Sequence, residues 1–258
     1  MSACEAREKN LADDDREVSY VQYRPEEPAD RAVIILPPTG GTTFLESRYA
    51  ATFCQGGFNV YVLKGWTGMS ETSLELSIHD RLFARAQGAI ELFVRETPER
   101  FIGLLGTSVG GLHVATALGR TERVSAGFLI AAGAPVSDVI AQTSQGTLKT
   151  LREKRMQEYG FRDEAAYAEA LASEFSWEPF ERTAEARRKP LGMVLVPGDK
   201  AVPTHLQERL RDAWRPDVEY RVRGFPVGAH MVGILQAWWS HDRNILAFFT
   251  GAADVEPK

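Results

Sequence analysis

Short apolar runs alternate along the chain with longer stretches in which apolar positions recur every three to four residues. Residues 32–36 (Ala-Val-Ile-Ile-Leu) are continuously apolar, as expected of a strand covered on both faces. Residues 17–23 read as a β-rich edge strand, and 59–63, 101–105, 126–132, 191–196 and 218–222 as further strands. Between them 46–55, 73–96, 109–118, 205–214 and 234–249 read as helices. In the longest of these, Leu82, Phe83, Ala86, Ile90, Phe93 and Val94 share one face at a 3.6-residue period. Strands alternating with helices predict an α/β fold: a mostly parallel central sheet flanked by helices on both faces.

One segment breaks the alternation. Residues 133–190 hold no strand pattern, and 147–159 and 163–175 read as helices. Gly160 suits the stop of the first and Asp163 the cap of the second. Ala165, Ala168, Leu171, Ala172 and Phe175 form the apolar face of the second. The expected organisation is therefore a flexible, charged N-terminus over 1–16 and a core of 17–134 with 190–258. Residues 135–189 form a helical cap lying over one end of the sheet. Phe175 and Trp177, with Tyr159 and Phe161, are the aromatic residues this cap could present to a ligand, and Trp66 follows the strand at 59–63.

Composition narrows the function classes. The chain has 258 residues, 44% apolar and 25% charged, with a net charge of −5. That balance gives neither the basic footprint of a nucleic-acid binder nor a polybasic membrane patch. No apolar run reaches the length of a spanning helix. Two cysteines, Cys4 and Cys54, are too few for a disulfide framework. They suit a reducing cytoplasm, with Cys54 a buried thiol in the first helix. Ser2-Ala3-Cys4 also fits the mature start of a bacterial lipoprotein, which makes a lipoprotein or periplasmic location the alternative.

The strongest chemical signal is Gly106-Thr107-Ser108-Val109-Gly110, set between a buried strand and a helix. A sharp strand-to-helix turn pushes a serine hydroxyl above the sheet edge, and small residues two positions away let strand and helix approach. The helix start behind the serine offers free N–H groups. No Gly-Lys-Ser/Thr follows, and the dinucleotide fingerprint is missing, so a phosphate loop is disfavoured. A serine needs a base. Of five histidines, His79, His113, His205 and His241 lie in or beside predicted helices. His230 instead follows Gly228-Ala229 after a strand, in a loop that can reach over the sheet edge. The base in turn needs an orienting carboxylate. Asp199, in Gly198-Asp199-Lys200-Ala201-Val202-Pro203 after the strand at 191–196, fits that role, with Asp138 as the alternative. No cluster of cysteine, histidine and carboxylates has metal-ligand spacing, so neither metal nor cofactor is expected.

In this order and at these strand ends, the sequence resembles the α/β-hydrolase family over roughly residues 17–250. The resemblance implies a nucleophile at Ser108, an acid at Asp199 and a base at His230. Many members carry His-Gly after the strand that precedes the first helix, whereas here that loop is Pro37-Pro38-Thr39-Gly40-Gly41. Prolines have no N–H to offer an oxyanion. Alignment with the family implies Thr39, or else Gly40, as one backbone donor and Val109 as the other. The implied activity is hydrolysis of a small carboxylic ester or thioester through an acyl-enzyme. The same triad acting on a carbon–carbon or amide bond, and a non-catalytic ligand-binding protein, are the alternatives.

Overall fold

In residues 31–36 the side chains of Val33 and Ile35 enter one apolar cluster, and those of Ala32, Ile34 and Leu36 the other. The two-residue period of a strand thus divides the core into two layers. A computed structural model describes residues 4–13, 16–39, 41–64, 73–223 and 228–255. In chain order it runs β1 (Glu5–Ala12), β2 (Glu17–Arg24), β3 (Arg31–Leu36), α1 (Phe44–Gln55), β4 (Asn59–Lys64), α2 (Ile78–Glu96), β5 (Phe101–Thr107) and α3 (Val109–Arg120). It continues β6 (Ala126–Ile130), α4 (Val136–Gln142), α5 (Gly146–Tyr159), α6 (Glu164–Ser173), a 3-10 turn (Pro179–Arg182) and α7 (Thr183–Ala186). β7 (Leu191–Leu195), α8 (Thr204–Trp214), β8 (Val218–Arg221) and α9 (Ala229–Asp254) complete it.

The eight strands form one sheet in the order β1-β2-β4-β3-β5-β6-β7-β8. The pairings β1–β2 and β2–β4 are antiparallel, and the rest are parallel. α1 and α9 supply buried residues to the layer of Val33 and Ile35, and α2, α3 and α8 to the layer of Ile34. From β3 the chain moves outward to β4, then crosses back through α2 to β5 on the other side of β3. The order of strands therefore reverses between β3 and β5. In open α/β sheets ligands bind in the crevice beyond the C-terminal ends of the strands at such a reversal. No helix among the described residues is long and apolar enough to cross a membrane.

The N-terminus differs from the sequence expectation. Residues 5–12 are not loose. They pair with β2 from Glu5↔Arg24 to Ala12↔Glu17, which makes β1 the sheet edge and β2 an inner strand. Seven of the eight β1 side chains face solvent, so no apolar alternation marks the strand. Backbone hydrogen bonding holds it, together with a disulfide between Cys4 and Cys54. The reading of Cys54 as a thiol is thereby corrected. The disulfide ties the entry to β1 to the last turn of α1, and because such bonds persist in oxidising compartments the cysteines no longer argue for a reducing one.

The segment 135–189 is helical, and it holds α4, which the sequence pattern did not predict. Asp163 caps α6 by accepting from the Ala166 N–H at 2.8 Å, and Gly160 ends α5 at φ 67°. Leu148, Leu151, Tyr167, Leu171 and Phe175 seat the segment on the α2–α3 layer. Arg155 of α5 is 0% exposed. Its Nε donates to the Leu74 carbonyl at 3.1 Å, its Nη2 to the Ser73 and Glu75 carbonyls at 2.8 and 2.6 Å, and its Nη1 to Tyr167 Oη at 3.0 Å and His79 Nε2 at 2.8 Å. α2 begins only at Ile78, and the non-helical 73–75 turn supplies three of these acceptors.

Two stability predictions follow from these contacts. Burial, with the Arg155 charge alongside, lowers the His79 pKa to about 3, and burial alone lowers His113 to about 3. In the unfolded chain both titrate near 6.5, so the unfolded state binds more protons as pH falls from about 6.5 toward about 3, and folding stability is lost over that window. Denaturant titrations at pH 7, 6 and 5 should show a decline of up to about 1.4 kcal/mol per pH unit for each histidine. A flat profile would mean that neither is buried neutral. The disulfide closes a loop spanning 50 residues of sequence separation. Its removal, by reductant or by Cys54→Ser, should lower the unfolding free energy by about 2–4 kcal/mol, read as a matched loss in thermal midpoint for the two treatments.

Candidate active site

β5 and α3 meet at Ser108, whose φ of 56° and ψ of −120° lie in a region that side chains rarely adopt. Two neighbouring glycines make the turn sterically feasible. A Cβ on Gly106 would stand 2.3 Å from the Gly110 carbonyl oxygen, and one on Gly110 would stand 2.1 Å from the Leu36 carbonyl oxygen. The Ser108 N–H donates to the Ile130 carbonyl at 2.8 Å, which ties the turn to β6. The hydroxyl thus stands at the C-terminal edge of the sheet, beside the crevice between β3 and β5.

His230 lies in the first turn of α9 rather than in the preceding loop, because α9 begins at Ala229. Its Nε2 is 2.9 Å from Ser108 Oγ and its Nδ1 is 2.7 Å from Asp199 Oδ2. A carboxylate only accepts, so Nδ1 carries the proton and Nε2 is left to accept from the serine hydroxyl. Asp199, in the turn between β7 and α8, has a fully buried side chain. Its Oδ1 accepts from the Ala201 and Val202 N–H groups at 2.8 and 3.1 Å. Asp138 lies instead on α4, where Arg209 Nη1 donates to its Oδ2 at 3.1 Å. The structure thus brings together three of the residues singled out in the sequence, with Asp199 rather than Asp138 beside the imidazole.

A cavity of about 230 Å³ adjoins Ser108 and His230. Leu112, Val139, Ile140, Leu148, Val202 and Met231 give it an apolar lining. Met231 is also 54% exposed, so the cavity opens to solvent beside the start of α9. Thr39 and Val109 line it too. Val109 is the first residue of α3, where an N–H has no partner within the helix. Thr39 sits in the turn closed by the Gly41 N–H on the Pro38 carbonyl at 2.9 Å. Thr43, another lining residue, is fixed by a capping box. Its N–H and hydroxyl both donate to Glu46 Oε2 at 2.6 Å, and its hydroxyl accepts from the Leu45 N–H at 3.1 Å.

The aromatic residues expected at the cavity lie elsewhere. Phe175 meets Phe83 edge to face at 4.9 Å, and Trp177 stacks under the Arg120 guanidinium at 4.7 Å. The Trp177 carbonyl accepts from Thr116 Oγ1, so this stretch runs back along α3 and away from the mouth. Trp66 and Gly40 lie outside the described residues. The lining from α4 and α5 was missed. The spacing of Val136, Val139 and Ile140 was its signal, in a helix of only seven residues. Glu178 holds that helix in place by accepting from the Val136 and Ser137 N–H groups and the Ser137 hydroxyl at 2.6, 2.9 and 2.7 Å. Burial raises its pKa against the lowering effect of those donors.

No model of a known protein family and no curated protein sequence matches the chain. Solved structures do resemble it. A Pyrococcus furiosus esterase, Pf2001, superposes with a TM-score of 0.63 at 15% identity, over 96% of this chain and 93% of its own. The acylaminoacyl peptidase of Pyrococcus horikoshii gives a TM-score of 0.70 at 14% identity, over 99% of this chain but 43% of the peptidase. A 2,6-dihydroxy-pseudo-oxynicotine hydrolase gives 0.66 at 15% identity, over 98% and 70%. Topology, the turn at Ser108 and these superpositions agree: the chain has the α/β-hydrolase fold.

Proposed function

We propose that the protein is a serine hydrolase that cleaves small carboxylic esters or thioesters through an acyl-enzyme. The observation that carries this reading is the chain of two hydrogen bonds from Ser108 Oγ through His230 to the buried Asp199, opening on an apolar cavity. Ser108 Oγ attacks the acyl carbon as His230 Nε2 takes its proton. The N–H groups of Val109 and Thr39 receive the developing oxyanion, a contribution of about 2.7–4 kcal/mol for each donor lost in comparable sites. Collapse of the tetrahedral species breaks the bond to the leaving group. The imidazolium returns its proton to the departing alcohol or thiol. Water then attacks the acyl-enzyme with His230 again as base, releasing the acid and restoring the serine. Asp199 holds the Nδ1–H tautomer and balances the imidazolium charge. The cavity is apolar and small, which favours short aliphatic acyl groups.

The first test is intact mass after exposure to a fluorophosphonate, from which an activated serine displaces fluoride. We expect one adduct in the natural chain and none in Ser108→Ala. A folded natural chain that stays unmodified would sink the hydrolase reading and leave a ligand-binding protein. On a generic ester such as a p-nitrophenyl acetate, Asp199→Asn should lower kcat by about 10⁴-fold, the size of a wrong tautomer in the chymotrypsin case. A second set of assays addresses the cavity. Leu148→Phe fills part of it, so turnover of butyrate and longer esters should fall at least tenfold relative to acetate. Equal effects on all chain lengths would mean that the acyl group lies elsewhere.

A further inference from the structure

Gln207 is the fourth residue of α8, is 0% exposed and does not line the cavity. Its amide makes three hydrogen bonds that fix its orientation. Oε1 accepts from the Val196 N–H at 3.0 Å. Nε2 donates to the Val202 carbonyl at 2.7 Å and to Asp199 Oδ2 at 3.3 Å. The Val196 N–H can only donate and the Val202 carbonyl can only accept, so a flipped amide would set donor against donor and acceptor against acceptor.

We propose that Gln207 is a positioning residue for the Asp199–His230 pair: its Nε2–H holds Asp199 Oδ2 in line with His230 Nδ1 and draws off part of the carboxylate charge. This rests on the serine-hydrolase reading above. The two backbone donors on Oδ1 anchor one carboxylate oxygen. They leave rotation about the terminal torsion soft. Among the described residues Gln207 and His230 are the two groups that meet Oδ2, and of these only Gln207 is itself fixed at its far end by the backbone just beyond β7. Titratable or charged groups within two residues of Asp199 or Gln207 are Lys200, His205, Glu208 and Arg209; Arg211 and Asp212 lie further along α8, and Asp138 lies on α4. Glu208 accepts from Arg221 and Asp138 from Arg209, at 3.2 and 3.1 Å.

The experiment follows fluorophosphonate labelling of the full chain against probe concentration and pH, with Gln207→Leu and Gln207→Met beside the natural sequence. Removing a hydrogen bond to a charged acceptor should slow the saturating labelling rate of Gln207→Leu by about tenfold to a hundredfold. Half-saturation should change less than the rate, because Gln207 is not itself a lining residue and meets the lining only at the Val202 backbone carbonyl. The carboxylate then bears more charge toward His230, so the acidic limb of the rate profile should move to higher pH by about half a unit or more. Gln207→Met keeps the length of the side chain and, like leucine, offers no donor to Asp199, so its limb should move in the same direction. A purely structural role, stapling Val196 to Val202, would lower thermal stability or rate without moving either limb, and that result overturns the proposal. Should Gln207→Leu fail to fold, the limb of Gln207→Met decides alone. A natural chain that does not label at all removes the hydrolase reading itself, whereas labelling that is identical in all three proteins removes only the role of Gln207.

Discussion

The positive φ of Ser108 is the constraint on which the site depends. A non-glycine residue held there costs of order 1–3 kcal/mol, which the surrounding packing must over-determine. Here the packing is backbone against backbone. Gly110 lets α3 lie directly on the Leu36 carbonyl at the end of β3, and Gly106 lets β5 meet the same helix. A methyl at either position would separate helix and sheet, and the turn would relax. The contact that strains the serine also fixes where β3 ends. The loop carrying Thr39 therefore emerges beside the hydroxyl, and the crevice at the reversal of strand order is where the proposed nucleophile and its proposed backbone donors meet.

Asp199 and His230 arrive from further along the sheet, in the turn that follows β7 and at the start of α9. His230 occupies the first turn of α9, where the helix dipole opposes positive charge by about 0.3–1 kcal/mol. A charge-assisted hydrogen bond to a carboxylate is worth about 1.5–3 kcal/mol. Asp199 Oδ2 at 2.7 Å sets such an acceptor against the imidazolium of the proposed mechanism. Asp199 can be buried as an anion because its oxygens meet donors from the backbone, from His230 and from Gln207.

What the sequence discloses follows the range of the forces involved. Ser108, Asp199 and His230 were legible because each is set by a local device: a Gly-x-Ser-x-Gly turn, a Gly-Asp turn after a buried strand, and small residues before a helix. The strands in the middle of the sheet were legible because burial on both faces leaves an unbroken apolar run. β1 was not, since its side chains face water and its partner is the β2 backbone. The Cys4–Cys54 pairing was hidden for the same reason, because it needs β1, β2 and β4 placed before Cys4 can reach α1. Phe175 and Trp177 were misplaced because α6 ends at Ser173 and both lie in the irregular stretch beyond it, where helical periodicity says nothing of what a side chain meets. There they pack on Phe83 and Arg120.

The helical segment supplies Val139, Ile140 and Leu148 to the cavity, and apolar contacts alone do not fix position along a surface. Two charged residues do, Arg155 buried and Glu178 half-buried. Glu178 grips the first turn of α4 through three donors, one turn from Val139 and Ile140. Arg155 joins α5, which carries Leu148, to the 73–75 turn, to α2 through His79 and to α6 through Tyr167. Its five donors all meet neutral acceptors, so carbonyl dipoles rather than a counter-ion solvate the charge. A lysine, with three donors and no planar fork, could not span the same set. The shape of the apolar cavity is thus held by polar geometry outside its walls, and substitutions at Arg155 or Glu178 would alter that shape without replacing a lining residue.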